Sequence, residues 1–271
     1  MGRVALISDL HFDVNHVDLN QVLPQQASYL QEQGVDAYLM AGDLTNHFDQ
    51  SLAIAENLQR RLGTIPVRFV AGNHDMLHNV SYATLETSIA PVYLHNQFLD
   101  LPGTDWRIIG NNGWYDYGFA DNLTGRNFRA WKRAFWVDGT IAQPMSDGER
   151  MDRVLIQLQQ RFTEARSAHK RILLVTHFVP RREYILYTAD NRFWNMANAL
   201  MGSPRLGRLL TDYGVEIVQF GHLHRRYWPQ RLGATTYYNQ AVGYQNNRIN
   251  EWYQHDFMSE WRDRLKILTL S

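Results

Sequence analysis

Five short blocks carry side chains that bind cations or move protons: Asp9-Leu10-His11, Gly42-Asp43, Gly72-Asn73-His74-Asp75, His177 and Gly221-His222-Leu223-His224. With His74 and Asp75 set aside, they offer two aspartates, one asparagine and four histidines as donors. That is too many for one tetrahedral ion and about right for two ions that share a bridging carboxylate. Imidazole and oxygen without sulfur favours iron, manganese or zinc over calcium or copper(I). Two ions roughly 3.5–4 Å apart form the arrangement that clamps both oxygens in a phosphoryl displacement. Residues i and i+2 of an extended segment face one side. Asp9 with His11, and His222 with His224, are therefore expected to aim two side chains together wherever the backbone stays extended.

Each block stands at the end of a bulky apolar run. Val4–Ile7, Ala37–Ala41, Val67–Ala71, Ile172–Val175 and Val215–Phe220 are four to six residues long and read as buried strands. Ligands of open α/β sheets bind at the carboxyl ends of strands. Helical patterns lie between the runs: Leu19, Val22, Leu23, Ala27 and Leu30 before Gly34, then Leu52, Ala55, Leu58 and Leu62 before Gly63. Ser146 with Glu149 forms a capping box, and Ser203-Pro204 opens a further helix. The glycines before Asp43, Asn73 and His222 suit sharp turns and close backbone approach. Ala234–Tyr238 and Lys266–Leu270 are expected to complete the sheet or build a second one. The alternation implies α/β layers. About a third of the chain separates Asn73 from Ile172, more than one crossover needs, so an insertion is expected there.

Composition removes several alternatives. The 271 residues include no cysteine, which excludes disulfides, thiolate-bound zinc and a cysteine nucleophile. Lys+Arg and Asp+Glu are both 27, without the basic excess that indiscriminate nucleic-acid binding requires. No apolar run of about 18 or more residues is present to span a membrane, and the N-terminus lacks a signal-peptide pattern. The expectation is a soluble cytoplasmic protein with a small phosphorylated substrate; oligomeric state is left open.

In order and spelling the blocks resemble the signature of the calcineurin-like metallophosphoesterase family: D-x-H, G-D, G-N-H-[DE], H and G-H-x-H. The spacings of 34 and 30 residues from Asp9 to Asp43 and on to Asn73 each fit one βα unit. The resemblance runs from Asp9 to His224. It implies a four-layered α/β/β/α sandwich, here a single domain over 1–271 with a cap-like insertion around 106–145. It further implies that Asp9, His11 and His224 hold one metal, that Asn73, His177 and His222 hold a second, and that Asp43 bridges them. His74 would be the proton donor to the leaving group, oriented by Asp75. The implied reaction is attack of a metal-bridging hydroxide on a phosphate ester, with phosphodiesters favoured over monoesters. Two other readings belong to the same fold: an inactive metal-bound interaction scaffold, and a lipid or nucleotide pyrophosphatase.

Arg181, Arg182, Arg225 and Arg226 follow ligand blocks, and guanidinium suits phosphate recognition; one of the four is expected to touch substrate. His47 and His78 lie near ligands and are expected at the surface. The aromatics from Trp106 to Trp136 either build a small core for the insertion or cap the site. Core-building is the preferred reading.

Overall fold

The seven apolar runs read as strands all fold as strands, with ends shifted by no more than two residues. The computed structural model describes residues 1–271. In chain order the elements are β1 (Gly2–Ile7), α1 (Leu19–Glu32), β2 (Ala37–Met40), α2 (Phe48–Leu62), β3 (Val67–Phe69), α3 (Tyr82–Leu85), β4 (Gln97–Asp100), β5 (Trp106–Gly110), α4 (Phe128–Phe135), α5 (Asp147–Ser167), β6 (Arg171–Val175), α6 (Arg192–Ala197), α7 (Pro204–Asp212), β7 (Ile217–Phe220), β8 (Gln230–Leu232), β9 (Thr235–Asn239), α8 (Phe257–Arg264) and β10 (Lys266–Leu270).

Two sheets form, ordered β10-β1-β2-β3 and β4-β5-β6-β7-β9-β8. Strands β1 to β3 run parallel, with β10 antiparallel at the edge. In the second sheet β5, β6, β7 and β9 are parallel and the edge strands β4 and β8 antiparallel. Alternate residues serve opposite faces. Val4, Leu6, Leu39, Leu173 and Val175 meet in a cluster of 14 buried residues between the sheets. Ala5, Ile7, Met40, Ile172 and Leu174 join the larger cluster that includes the helices. Burial on both faces leaves no polar positions, which is why these strands read as continuous apolar runs. Helices α1, α2 and α8 pack together on one side and α5 with α7 on the other, completing α/β/β/α layers.

Helix starts follow their capping chemistry. Ser146 Oγ accepts from the Glu149 amide at 3.3 Å while the Glu149 carboxylate accepts from the Ser146 amide at 2.8 Å. Ser203 Oγ accepts from the Arg205 amide at 3.1 Å, with Pro204 in the first turn.

Three strands were not legible as runs. Strand β4 is an edge with exposed Gln97 and Phe98, β8 is a three-residue edge, and β5 carries Arg107 within it. The expected insertion around 106–145 therefore starts with a strand of the second sheet, paired with β4 and β6. What lies outside both sheets begins past Gly110. Its anchor is Asp147, whose carboxylate accepts from Lys132 Nζ at 2.7 Å, Trp114 Nε1 at 2.9 Å, Gln143 Nε2 at 2.8 Å and the Tyr117 hydroxyl. Burial pushes the Asp147 carboxyl up, but these donors, Lys132 foremost, hold it below its ordinary value.

Candidate metal centre

Every candidate ligand sits just past the carboxyl end of a parallel strand: Asp9 and His11 after β1, Asp43 after β2, Asn73 after β3, His177 after β6, His222 and His224 after β7. The two sheets thus contribute from both sides of one crevice. The donor atoms of Asp9, His11, Asp43 and His224 lie within 4.8 Å of one another, as do those of Asp43, His177 and His222. Asp43 is common to both groups. Asn73 Oδ1 lies 3.1 Å from His177 Nε2, which places it with the second group.

The convergence is not produced by extended backbone, contrary to the expectation for Asp9/His11 and His222/His224. Asp9, His11, Asp43 and His222 adopt left-handed φ values of 53°, 42°, 56° and 69°. Such conformations cost free energy in residues with a Cβ and persist where the surroundings over-determine them. Both Asp9 carboxylate oxygens accept from the His222 amide, at 2.9 and 3.2 Å, and Asp43 Oδ1 accepts from the His74 amide at 2.8 Å. The turns are locked by the same carboxylates that face the centre. The glycines act through close approach: a Cβ on Gly221 would stand 2.5 Å from Asp9 Oδ2, and one on Gly42 would stand 2.6 Å from His177 Nδ1.

Secondary hydrogen bonds set which ring nitrogen faces inward. His177 Nδ1–H donates to the Ala41 carbonyl at 2.8 Å and His224 Nδ1–H to the Glu251 carboxylate at 2.8 Å, leaving each Nε2 turned to the centre. The Asn73 amide Nδ2–H donates to Asp138 at 2.8 Å, turning Oδ1 inward. His11 Nε2 and His224 Nε2 then face each other at 3.2 Å, and His177 Nε2 faces His222 Nδ1 at the same distance. Buried nitrogens and carboxylate oxygens converging in this way are a donor set that a divalent cation satisfies. It is a sulfur-free set suited to manganese, iron or zinc.

The electrostatics agree. Burial pushes the Asp9 carboxyl up, yet the His224 hydrogen bond and charge bring it down to about 2. Burial would lower His177 and His224, but Asp43 raises the first to about 9, and Asp9 with Glu251 raise the second to about 10. Burial and the neighbouring His177 take His222 down to about 3. The two carboxylates thus favour protonation of His177 and His224, whereas burial and neighbouring histidines keep His11, His74 and His222 neutral.

His74 stands beside the two groups with partners other than the one expected. Asp75 does not orient it. The buried Asp75 carboxylate accepts from the amides of Asp43, Leu44, Thr45 and Gly72 at 2.7–3.3 Å and from Ser51 Oγ at 2.6 Å, and so clamps the Asp43 turn. His74 Nδ1–H instead donates to Asn46 Oδ1 at 2.7 Å, and His74 Nε2 meets the Tyr244 hydroxyl at 3.0 Å. Burial, then Asp43 and Asp9, push the Tyr244 phenol far above its ordinary value, so it stays protonated. Asn46, Asp138, Tyr244 and Glu251 were not singled out from sequence. Asn46 stands three residues past Asp43 and had a weak positional signal; the other three arrive only through the fold.

A cleft of about 550 Å³ opens here, lined by Asp43, Asn73, His74, His222, His224, Tyr244 and Glu251 and by Trp136, Val137, Trp194, Met201, Leu223, Ile249 and Arg225. Of the four arginines, only Arg225 lines it. Arg181 pairs with Glu183 at 2.6 Å, Arg182 with Asp121 at 2.5 Å, and Arg226 with Glu260 and Asp263 at 2.9 and 2.5 Å. His47 and His78 face each other, ring centroids 4.8 Å apart, away from the cleft lining. The aromatic segment divides between its two readings: Trp114, Tyr115 and Phe119 are fully buried core, whereas Trp136 forms the cleft wall.

Residues 2–226 match the calcineurin-like phosphoesterase family, and the chain belongs to it. The metallophosphoesterases that share this fold and signature are phosphoester hydrolases, generally dinuclear in metal. Among solved structures, the chain is similar to a phosphopantetheinyl hydrolase from Mycobacterium tuberculosis, at 18% identity and a TM-score of 0.68, covering 98% of this chain and 95% of that one. It is also similar to a dimetal phosphatase from Danio rerio, at 12% identity and a TM-score of 0.49, covering 88% and 86%. No curated protein sequence matches the chain. No helix is long and apolar enough to cross a membrane.

Proposed function

We propose that the chain is a dinuclear metal-dependent phosphoesterase that favours phosphodiesters. The observation that carries this reading is Asp43, shared between two converging donor groups with His74 alongside. In it, Asp9, His11 and His224 would hold one cation and Asn73, His177 and His222 the other, with Asp43 available to both. When bound, the two ions supply Lewis acidity and lower the pKa of coordinated water to roughly 7.

The chain's own residues do the rest. Asn46 keeps the His74 Nδ1–H in place, which leaves Nε2 as the edge presented to the leaving oxygen. The Tyr244 hydroxyl at that edge holds the ring's direction and is itself protonated. Arg225, exposed and lining the cleft, attracts a non-bridging phosphate oxygen. Trp136, Val137, Trp194 and Ile249 give the cleft an apolar wall, which excludes water and strengthens the polar contacts inside. That wall supports the diester preference, since a diester brings a second substituent to be covered. The M. tuberculosis neighbour's name adds a phosphopantetheinyl ester to the substrate classes worth testing.

The test is hydrolysis of bis-p-nitrophenyl phosphate, p-nitrophenyl phosphate, cyclic nucleotides and a phosphopantetheinyl ester with manganese, iron or zinc. Metal-dependent turnover, highest on a diester and abolished by Asp43→Asn, is expected. Tight metal binding with no turnover of any substrate would overturn the reading in favour of a metal-bound scaffold.

A further inference from the structure

A second concavity adjoins the cleft. Arg126, Trp131, Arg192, Phe193 and Met196 line a pocket of about 320 Å³, assembled from the approach to α4 and from α6. Its two guanidiniums differ from those of Arg181, Arg182 and Arg226. Neither Arg126 nor Arg192 forms an ion pair or a side-chain hydrogen bond with the protein, and Asp190, exposed two residues from Arg192, is not paired with it. Arg129 and Arg133 lie exposed and unpaired on the same short helix and add to the local positive potential. The only carboxylate close in sequence to Arg126 is Asp121, which Arg182 already occupies.

The pocket communicates with the candidate metal centre through aromatic rings. The Trp131 ring lies stacked on Trp136 at a centroid distance of 5.9 Å, and Trp136 is a wall of the main cleft. Phe193 meets Trp131 edge-on at 5.0 Å and is followed directly by Trp194, another wall of that cleft. One stacked ring pair therefore separates two guanidiniums from the site that would hold a scissile phosphate. Guanidiniums form charge-assisted hydrogen bonds with anions, and two unpaired ones lining a single pocket can hold one anion together. A concave pocket of this size suits a single small anionic group better than the flat face of a macromolecule.

We propose that this pocket is a second subsite, which takes a second anionic group, a phosphate or carboxylate, carried on the same substrate molecule beyond the scissile ester. The inference rests on the phosphoesterase reading for its first site, and it narrows the substrate class to phosphoesters that bear a further anion. Occupation of both sites orients the ester between them.

The experiment separates the two claims by measuring binding without turnover. Adenosine 3′,5′-bisphosphate and adenosine 5′-monophosphate are titrated calorimetrically into the full chain in excess EDTA, with the wild type, Arg126→Ala/Arg192→Ala and Arg126→Lys/Arg192→Lys compared. Loss of two charge-assisted contacts is expected to weaken the bisphosphate by about ten- to a hundredfold. The lysine pair should retain most of the affinity, and with the metals chelated the monophosphate should weaken in parallel, because its one phosphate has the same two guanidiniums to bind. With metal present, the alanine pair should raise KM for a bisphosphorylated ester and leave kcat and KM for bis-p-nitrophenyl phosphate near wild type. Arginine-dependent binding in a protein that hydrolyses nothing would keep the subsite and remove the activity. Bisphosphate affinity that is equal in wild type and the alanine pair would overturn the subsite whether or not turnover occurs, and would leave the basic face to an acidic protein partner.

Discussion

The Asp138 carboxylate accepts a 2.8 Å hydrogen bond from the side-chain amide of Asn73, across 65 positions of sequence. Asp138 belongs to the segment outside the two sheets and is buried against a candidate ligand loop of the first sheet. An asparagine amide presents its oxygen in a fixed direction only when its nitrogen is tethered. Asp138→Ala should therefore weaken the second of two metal ions by about ten- to a hundredfold and leave the first nearly unchanged. Competitive titration with a chromophoric chelator reads both affinities; equal weakening of the two ions would count against a selective tether.

If His74 delivers the leaving-group proton, its loss matters in proportion to how poor that group is. His74→Ala should lower kcat on an alkyl ester by about a hundredfold or more and on a p-nitrophenyl ester by far less. Asn46→Ala should follow the same pattern more weakly, because Asn46 holds the Nδ1–H at 2.7 Å. Equal losses on both leaving groups would remove the acid role.

Metal uptake should release protons. In the metal-free protein His177 is held up at about 9 and His224 at about 10, so both carry a proton at pH 7 that a bound cation must displace. Affinity should accordingly rise with pH through the neutral range and fall as pH drops. Calorimetry in two buffers of different ionisation enthalpy is expected to show about two protons released for the filled centre at pH 7. Zero release would contradict the charge state.

Asp147 fastens the outer segment to the body through Lys132, Trp114, Gln143 and Tyr117. Removing one partner of a buried ion pair strands the other charge and costs about 3–5 kcal/mol. Asp147→Ala should lower the thermal midpoint and raise proteolytic cleavage between Gly110 and Asp147, with the sheets persisting longer. Tryptophan fluorescence, to which Trp114, Trp131 and Trp136 of the segment contribute three of the eight indoles, should change before far-UV circular dichroism does. Coincident loss of both signals would indicate that the segment and the sheets unfold as one unit.

Much of the centre was visible in the chain because the groups that need particular chemistry are also the groups that end strands. Asp9, His11, Asp43, Asn73, His177, His222 and His224 each follow an apolar run that local burial makes recognisable. Strand β5 was hidden because Arg107 interrupts its run; its charge is neutralised by Asp100 at 2.7 Å from the neighbouring edge strand. Asp75, expected to orient His74, makes no hydrogen bond to it. Its neighbour in sequence is His74, but the chain turns so that its carboxylate meets four backbone amides instead.

Residue type and short-range periodicity suffice for the candidate donor set, its order, the layered α/β architecture and the lack of thiol chemistry. Packing of distant segments sets which nitrogen of each histidine faces inward, joins Asn46 and Tyr244 to His74, tethers Asn73 to Asp138, and brings Arg225 rather than its three fellows to the cleft. Those outcomes depend on contacts between segments tens to hundreds of residues apart, and on left-handed turns at Asp9, His11, Asp43 and His222. Neither leaves a periodic trace in the chain, because side-chain direction there is set by partners that arrive only when the two sheets pack.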